Sequence, residues 1–402
     1  MENPIRGGQK PCQNNYGRDR SIDIAKGIGI ILVVYGHLVN PIHREIFLFH
    51  MPLFFLLSGY FFSTEKGWTT FIKDKIRKLI YPFCCFYFLS FLFRLCIEKG
   101  NLYESFCVGI YDEVSRQFIS INTPLWFLLA LFEIFIISFL TEKYVKKVWV
   151  KIIITGIITL IGYESAMHER YTIIPFLSQA CMGYIFFRIG YWLKMKNTLK
   201  KKVSIFAISL LILGYGIGVT FNVTTDLFLL KMDSNYLLFF IPALCGSLLI
   251  TYLSKYLQNK RYTDWLSYLG KNSLLIMCVH SPLILLVSSI LLPALREFYS
   301  FIGKTTITDE AITSGRICGF LSLIILVPLS LYIGLIVKKL FPFCFAGSSK
   351  TVLKPSAERP HRPEILREIF ATYFKNIFNP SALRAPPLSH IRAQRRRLIH
   401  SY

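Results

Sequence analysis

Two adjacent apolar runs between Arg20 and Phe62 carry polar groups that a simple membrane anchor has no use for. Asp23, Lys26 and His37 lie on the first run; His50, Ser58 and Gly59 lie on the second. A histidine can exchange a proton near neutral pH, and a lysine is a compact fixed cation. Ionisable groups are costly inside a membrane segment, which makes each a functional candidate. His37 follows Lys26 by about 16 Å at 1.5 Å per helical residue, and that spacing returns both to nearly the same helix face. Asp23, one turn before Lys26, can pair with it. Plainer readings stand beside these. A histidine at a span end can be interfacial, His50 can be a buried histidine with its bonds satisfied, and Ser58-Gly59 can simply let two helices approach.

Two later runs add candidates. One opens Thr123-Pro124-Leu125-Trp126-Phe127 and carries Glu133 in mid-run. The other opens Leu269-Gly270-Lys271-Asn272-Ser273 and carries His280 followed by Pro282. An intramembrane Glu and His normally line a polar interior; the two could also pair with each other for structural reasons alone.

The elements that must position these residues are membrane helices. Of 402 residues, 53% are hydrophobic and only 17% charged, against about 25% charged in soluble domains. Apolar runs at about 21–39, 46–63, 78–97, 123–140, 148–163, 172–193, 203–221, 235–254, 268–292 and 317–340 have roughly the length that crosses a hydrocarbon core. The loops between them alternate between Lys/Arg-rich and neutral or acidic, which predicts ten spans with both termini cytosolic. Lys66, Lys73, Lys75, Arg77 and Lys78 are read as one such basic loop. The sequence thus predicts an all-α integral membrane protein: a flexible cytosolic leader over 1–20, a ten-helix domain over 21–340, and a basic Pro/Arg-rich tail over 345–402 read as disordered.

The net charge of +23 follows from this loop bias rather than from a nucleic-acid partner, for which no basic soluble domain is present. The cysteines lie mostly inside apolar runs without paired C-x-x-C spacing, so no metal site is expected. The polar first residues, and Pro41 after the first run, do not read as a cleavable signal.

Five pieces occur in order: D-x-x-K-x10-H (Asp23, Lys26, His37), F-H-M-P-L-F-F-x-L-S-G-Y (Phe49 to Tyr60), K-x-x-K-L-x-x-P (Lys75, Lys78, Leu79, Pro82), P-L-W-F-L (Pro124 to Leu128) and L-G-K-N-S-x5-V-H-x-P (Leu269 to Pro282). Together they resemble the acyltransferase-3 family of membrane O-acyltransferases, in particular its fucose 4-O-acetylase-like branch, over about 20–340. The resemblance implies ten spans, an acyl-CoA donor substrate with no tightly bound cofactor, and a carbohydrate acceptor. Its R/K-x10-H signature maps to Lys26 and His37, and its paired basic residues to Lys75 and Lys78; lysine stands at both sites where arginine is commoner.

The expected chemistry is transfer of an acyl group, acetyl being favoured, to a hydroxyl of a cell-surface carbohydrate or glycolipid, in a bacterial cytoplasmic membrane. His37 is the expected base, with Lys26 and Asp23 beside it in the catalytic signature. Lys75, Lys78, His50, Ser58, Trp126, Glu133, Ser273 and His280 are the expected donor- or substrate-binding residues. The rival is a transporter or flippase of a glycan intermediate, in which the same polar residues would line a pathway.

Overall fold

The computed structural model describes residues 19–98, 119, 121–168, 174–200, 203–232, 235–301 and 316–345. The leader up to residue 18 and the tail from 346 lie outside the described residues. The described chain is helical apart from one two-rung hairpin. Its helices are α1 (Arg20–Gly36), α2 (His43–Phe47), α3 (His50–Tyr60), α4 (Trp68–Lys75), α5 (Tyr81–Glu98), α6 (Trp126–Tyr144), α7 (Val148–Met167), α8 (Leu177–Met195), α9 (Ile205–Thr220), α10 (Tyr236–Leu257), α11 (Asp264–Lys271), α12 (Ser273–Phe301) and α13 (Arg316–Leu340).

Among the described residues, six helical segments are long and apolar enough to cross a membrane: Trp68–Cys96, Thr123–Tyr144, Val148–Met167, Tyr236–Leu257, Ser273–Leu291 and Cys318–Leu340. The periphery agrees with a lipid surround. On α7, Ile152, Ile153, Leu160 and Ile161 are each more than half exposed, an apolar stripe that water would not tolerate. The protein is an all-α integral membrane protein.

Each of the ten apolar runs holds a helix, but two boundaries differ from the sequence reading. The second run is not one span. It breaks at Phe49 (φ −136°, ψ −12°) into α2 and an eleven-residue α3. Pro52 falls in the first turn of α3, where its missing N–H costs nothing, so the helix starts afresh at His50. The third run begins earlier than expected. Lys75 and Lys78 are not in a loop: α4 runs through a π turn (Ile76–Ile80) into α5. The Tyr81 N–H reaches the Ile76 carbonyl, and this wider turn accommodates Pro82, whose ring would crowd the preceding carbonyl in a regular helix.

The short helices α1 and α3 are central. α1 packs on α3, α10, α11, α12 and α13, while α3 is flanked by α1, α8 and α10. Two crossings are made backbone to backbone. A Cβ on Gly27 would overlap the Leu266 carbonyl, and one on Gly270 would overlap the Asp23 carbonyl, which joins α1 to α11. A Cβ on Gly59 would overlap the Phe187 carbonyl, and one on Gly190 the Leu56 carbonyl, which joins α3 to α8. Small residues permit this approach, and dispersion over the close contact holds the helices together in lipid.

The loop between α9 and α10 carries strands β1 (Thr225–Asp226) and β2 (Lys231–Met232), antiparallel, with Thr225 opposite Met232. Its turn is organised by the Asp226 carboxylate, which accepts from the Phe228 and Leu229 N–H groups. Burial raises this carboxyl above its ordinary range, partly offset by those two bonds.

Gly59→Ala and Gly190→Ala are expected to lower stability by about 1–3 kcal/mol through overpacking. Gly156→Ala on α7, where a Cβ meets nothing within 4 Å, is expected to leave it unchanged or slightly raised. Thermal unfolding of the detergent-solubilised protein compares the three, and equal shifts would count against the crossing as described.

Candidate functional site

The candidate residues gather at two ends of the α1–α3 pair. At one end are imidazoles. His37 caps α1 with φ −87° and ψ 1°, its backbone N–H turned to Val33 and Val34. Its ring lies 5.4 Å from that of His280 and 5.8 Å from that of Phe47. Phe47 also touches His43 at 4.1 Å and His50 at 4.7 Å. Three histidines, His37, His43 and His50, thus touch one phenyl ring, and His280 from α12 packs on His37.

Their tautomers follow from their partners. His43 Nδ1 donates to the Gly36 carbonyl at 2.8 Å, His50 Nδ1 to Ile46 at 2.9 Å and His280 Nδ1 to Ile276 at 3.1 Å. A carbonyl only accepts, so in each neutral ring Nδ1 carries the proton and Nε2 keeps its lone pair. His280 is fully buried, and its Nε2 has no hydrogen-bond partner. A buried acceptor in that state suits a ligand that brings a hydroxyl.

His280 is held from outside its own helix. Pro282 has no N–H, so the Cys278 carbonyl loses its regular helical donor. Asn122 supplies one: its Nδ2 donates to Cys278 O at 2.7 Å and to Ser90 Oγ at 2.9 Å. This buried amide, next to the Thr123-Pro124 turn, fixes the turn of α12 that presents His280.

At the other end of α3, about 15 Å away at 1.5 Å per residue, are cations around Phe61 and Phe62. Lys26 Nζ lies 4.8 Å from the Phe61 ring centre. Lys75 Nζ lies 3.4 Å from the Phe135 ring centre, and Phe135 packs on Phe62 at 6.2 Å. Lys194 donates to the Phe62 carbonyl at 3.0 Å. Arg188 stacks over Tyr191 at 5.3 Å, and Tyr191 packs on Phe62 at 5.2 Å. The ring faces accept positive charge that neighbouring carboxylates would otherwise have to balance. Lys78 is more exposed and pairs with Asp74 at 3.0 Å, near Lys66. Beside this end, Asp19, Ser21, Tyr60, Leu199, Lys255 and Gln258 line a cavity of about 240 Å³.

The remaining candidates fall outside both groups or at their margins. Asp23 is 2% exposed, and its turn of α1 is pressed against Gly270. Ser58 is half-buried beside the Gly59 crossing, and Ser273 is the half-buried first residue of α12. Trp126 is buried among Phe55, Phe127, Phe176 and Phe228. Glu133 and His280 do not pair: Glu133 Oε2 has no hydrogen-bond partner, while His280 is bonded within its own helix.

Residues 19–338 match the sequence model of the Acyl_transf_3 acyltransferase domain. The chain belongs to the acyltransferase-3 family. Among curated relatives it is 30% identical over 207 residues to the nodulation protein NolL of Sinorhizobium fredii, covering 45% of this chain and 51% of that one. It is 36% identical over 103 residues to NolL of Mesorhizobium japonicum, covering 20% of this chain and 27% of that one. The alignments thus span about half and about a quarter of those relatives. No solved structure matches the chain.

Within this acyltransferase-3 domain the sequence reading missed His43, Asn122, Arg188 and Lys194. Arg188 carried a usable signal, since it is an ionisable residue inside the apolar run 172–193. Asn122 carried none, because its role depends on a proline 160 positions later.

Asn122→Ala is expected to cost about 1–3 kcal/mol, the cost of leaving a buried carbonyl unpaired. It is expected to cost less in a Pro282→Ala background, where residue 282 regains its N–H. A double-mutant cycle by thermal unfolding reads the difference; equal costs in both backgrounds would exclude the link.

Proposed function

We propose that the protein is a membrane O-acyltransferase that moves an acyl group, acetyl being favoured, from acyl-CoA to a hydroxyl of a cell-surface carbohydrate or glycolipid. The observation that carries this reading is the separation of a histidine cluster from a cation cluster along α1 and α3. Acyl transfer from a phosphate-bearing thioester asks for both: cations for the donor's phosphates and a base for the acceptor. The proposal includes ten spans with both termini cytosolic, in a bacterial cytoplasmic membrane. The cationic end then faces the cytosol, where acyl-CoA is made.

In this mechanism Lys26, Lys75 and Lys78 hold the donor's phosphates, and Asp23 keeps the inner turn of α1 in register. The pantetheine arm extends toward the histidine end. His37 accepts the proton of the acceptor hydroxyl as its oxygen attacks the thioester carbonyl. His280, through the lone pair on Nε2, accepts a hydrogen bond from the acceptor and fixes its orientation, with His50 beside it. Collapse of the tetrahedral intermediate breaks the carbon–sulfur bond, and the leaving thiolate takes up a proton, which the His37 imidazolium can return. Trp126 and Glu133 have no role in these steps.

His37→Ala is expected to lower transfer by about 10²-fold or more, with the protein still folded in the membrane. Purified protein, radiolabelled acetyl-CoA and a cell-surface glycan extract supply the assay, and mass spectrometry of the glycan identifies the product. Undiminished labelling in His37→Ala would remove His37 from the mechanism. A glycan translocated but never labelled by the wild type would favour the transporter reading.

A further inference from the structure

Arg188 is the largest fully buried side chain among the described residues. It projects from α8 toward the α6–α7 turn. There its Nη2 lies 2.6 Å from Glu142 Oε1, and Glu142 Oε2 is engaged by the Lys151 ammonium. The triad holds two cations and one carboxylate. Its guanidinium is also open, since Arg188 Nε, Nη1 and Nη2 and Glu142 Oε1 form no well-aligned hydrogen bond, so charge alone holds the pair. Tyr191 and Trp192 cover the guanidinium at 5.3 and 5.5 Å. A triad serving only to join three helices would be expected to neutralise its charge and align its donors. Here one positive charge is left over, and the guanidinium donors lack a well-placed acceptor.

The surroundings point the same way. Phe187, next to Arg188, packs edge-on against Phe135 at 5.2 Å, and the opposite contact of Phe135 is the Lys75 ammonium. A fully buried cation and a half-buried one therefore lie beside one aromatic pair next to Phe62. Glu142 and Lys151 are only 8% and 15% exposed and lie within two turns of the helix ends, next to the basic turn Lys143, Lys146 and Lys147. A ligand reaching that turn needs only the Glu142 carboxylate to move aside.

We propose that Arg188, with Lys151, forms a phosphate-binding site in which the Glu142 carboxylate holds the place of the ligand's anionic oxygens. The ligand is a phosphate ester of net negative charge or a diphosphate, and the planar guanidinium fork suits its bidentate oxygens. Such a group is carried by coenzyme A and by phospholipid headgroups. Only the first of these sources rests on the acyl-donor reading above.

The test measures binding by the full chain in nanodiscs and needs no turnover. Coenzyme A, dephospho-coenzyme A and pantetheine are titrated in phosphatidylcholine discs, and phosphatidylglycerol is titrated as the lipid arm. Arg188→Gln is expected to weaken the phosphate-bearing ligand about tenfold or more, and Arg188→Lys by less, because it keeps the charge without the fork. Glu142→Gln is expected to tighten binding severalfold, since it removes the competing carboxylate. Losses confined to coenzyme A assign the donor, and losses confined to phosphatidylglycerol assign the lipid.

Unchanged affinities for both ligands in Arg188→Gln would overturn the proposal. If that variant does not fold, affinities unchanged or weakened in Glu142→Gln would do the same. Arg188-dependent binding of coenzyme A without acyl transfer to any glycan would leave the site standing and remove the proposed function.

Discussion

Where α3 crosses α8, the carbonyls of Leu56 and Phe187 occupy the space that side chains on Gly190 and Gly59 would need. The same arrangement recurs between Gly27 of α1 and Gly270 of α11. In lipid there is no hydrophobic force to draw helices together, so close backbone contact is what holds them. Both clusters of the proposed site hang on the two helices fixed in this way. α1 carries Lys26 and His37, and α3 begins at His50 and ends against Phe61 and Phe62. Because both helices are short and locked, the distance between the imidazoles and the cations is a property of the scaffold rather than of any side chain.

The second constraint is that every buried polar group must find its partner inside the protein. The structure answers this in a different way at each end, and leaves His280 Nε2 and Arg188 Nε open. At the histidine end, backbone carbonyls take the Nδ1 protons and so turn each Nε2 lone pair outward. Pro282 breaks α12 beside His280, and Asn122 repairs the break from another segment. At the cationic end, aromatic faces do most of the work. Phe61, Phe135 and Tyr191 lie under Lys26, Lys75 and Arg188, and Arg188 is also paired with Glu142.

In the proposed reaction these two environments serve opposite halves. A base acts best where its proton state is set by fixed partners, and a phosphate is best held where positive charge gathers. The π turn at Ile76–Ile80 belongs to the same design. It absorbs Pro82 while keeping Lys75 facing inward on Phe135 and Lys78 outward on Asp74.

The amino-acid sequence by itself determined the class of this protein. Apolar run lengths and low charge make a helical membrane protein, and each run holds a helix in the structure. The sequence also marked His37, Lys26, Lys75 and His280, because an ionisable residue in an apolar run is costly wherever it sits. It could not place Trp126, which packs among Phe55, Phe127, Phe176 and Phe228, since core and ligand-binding aromatics read alike in an apolar run. It could not separate the interrupted α2–α3 run from a continuous span, because Pro52 is tolerated in a first turn as readily as in a kinked helix. Tertiary structure alone decided which residues meet. The four-histidine cluster, the Asn122–Cys278 bond and the Arg188–Glu142–Lys151 triad each join elements far apart in the chain. Local propensity carries no information about such contacts; they exist because the glycine crossings fix which helix faces come together.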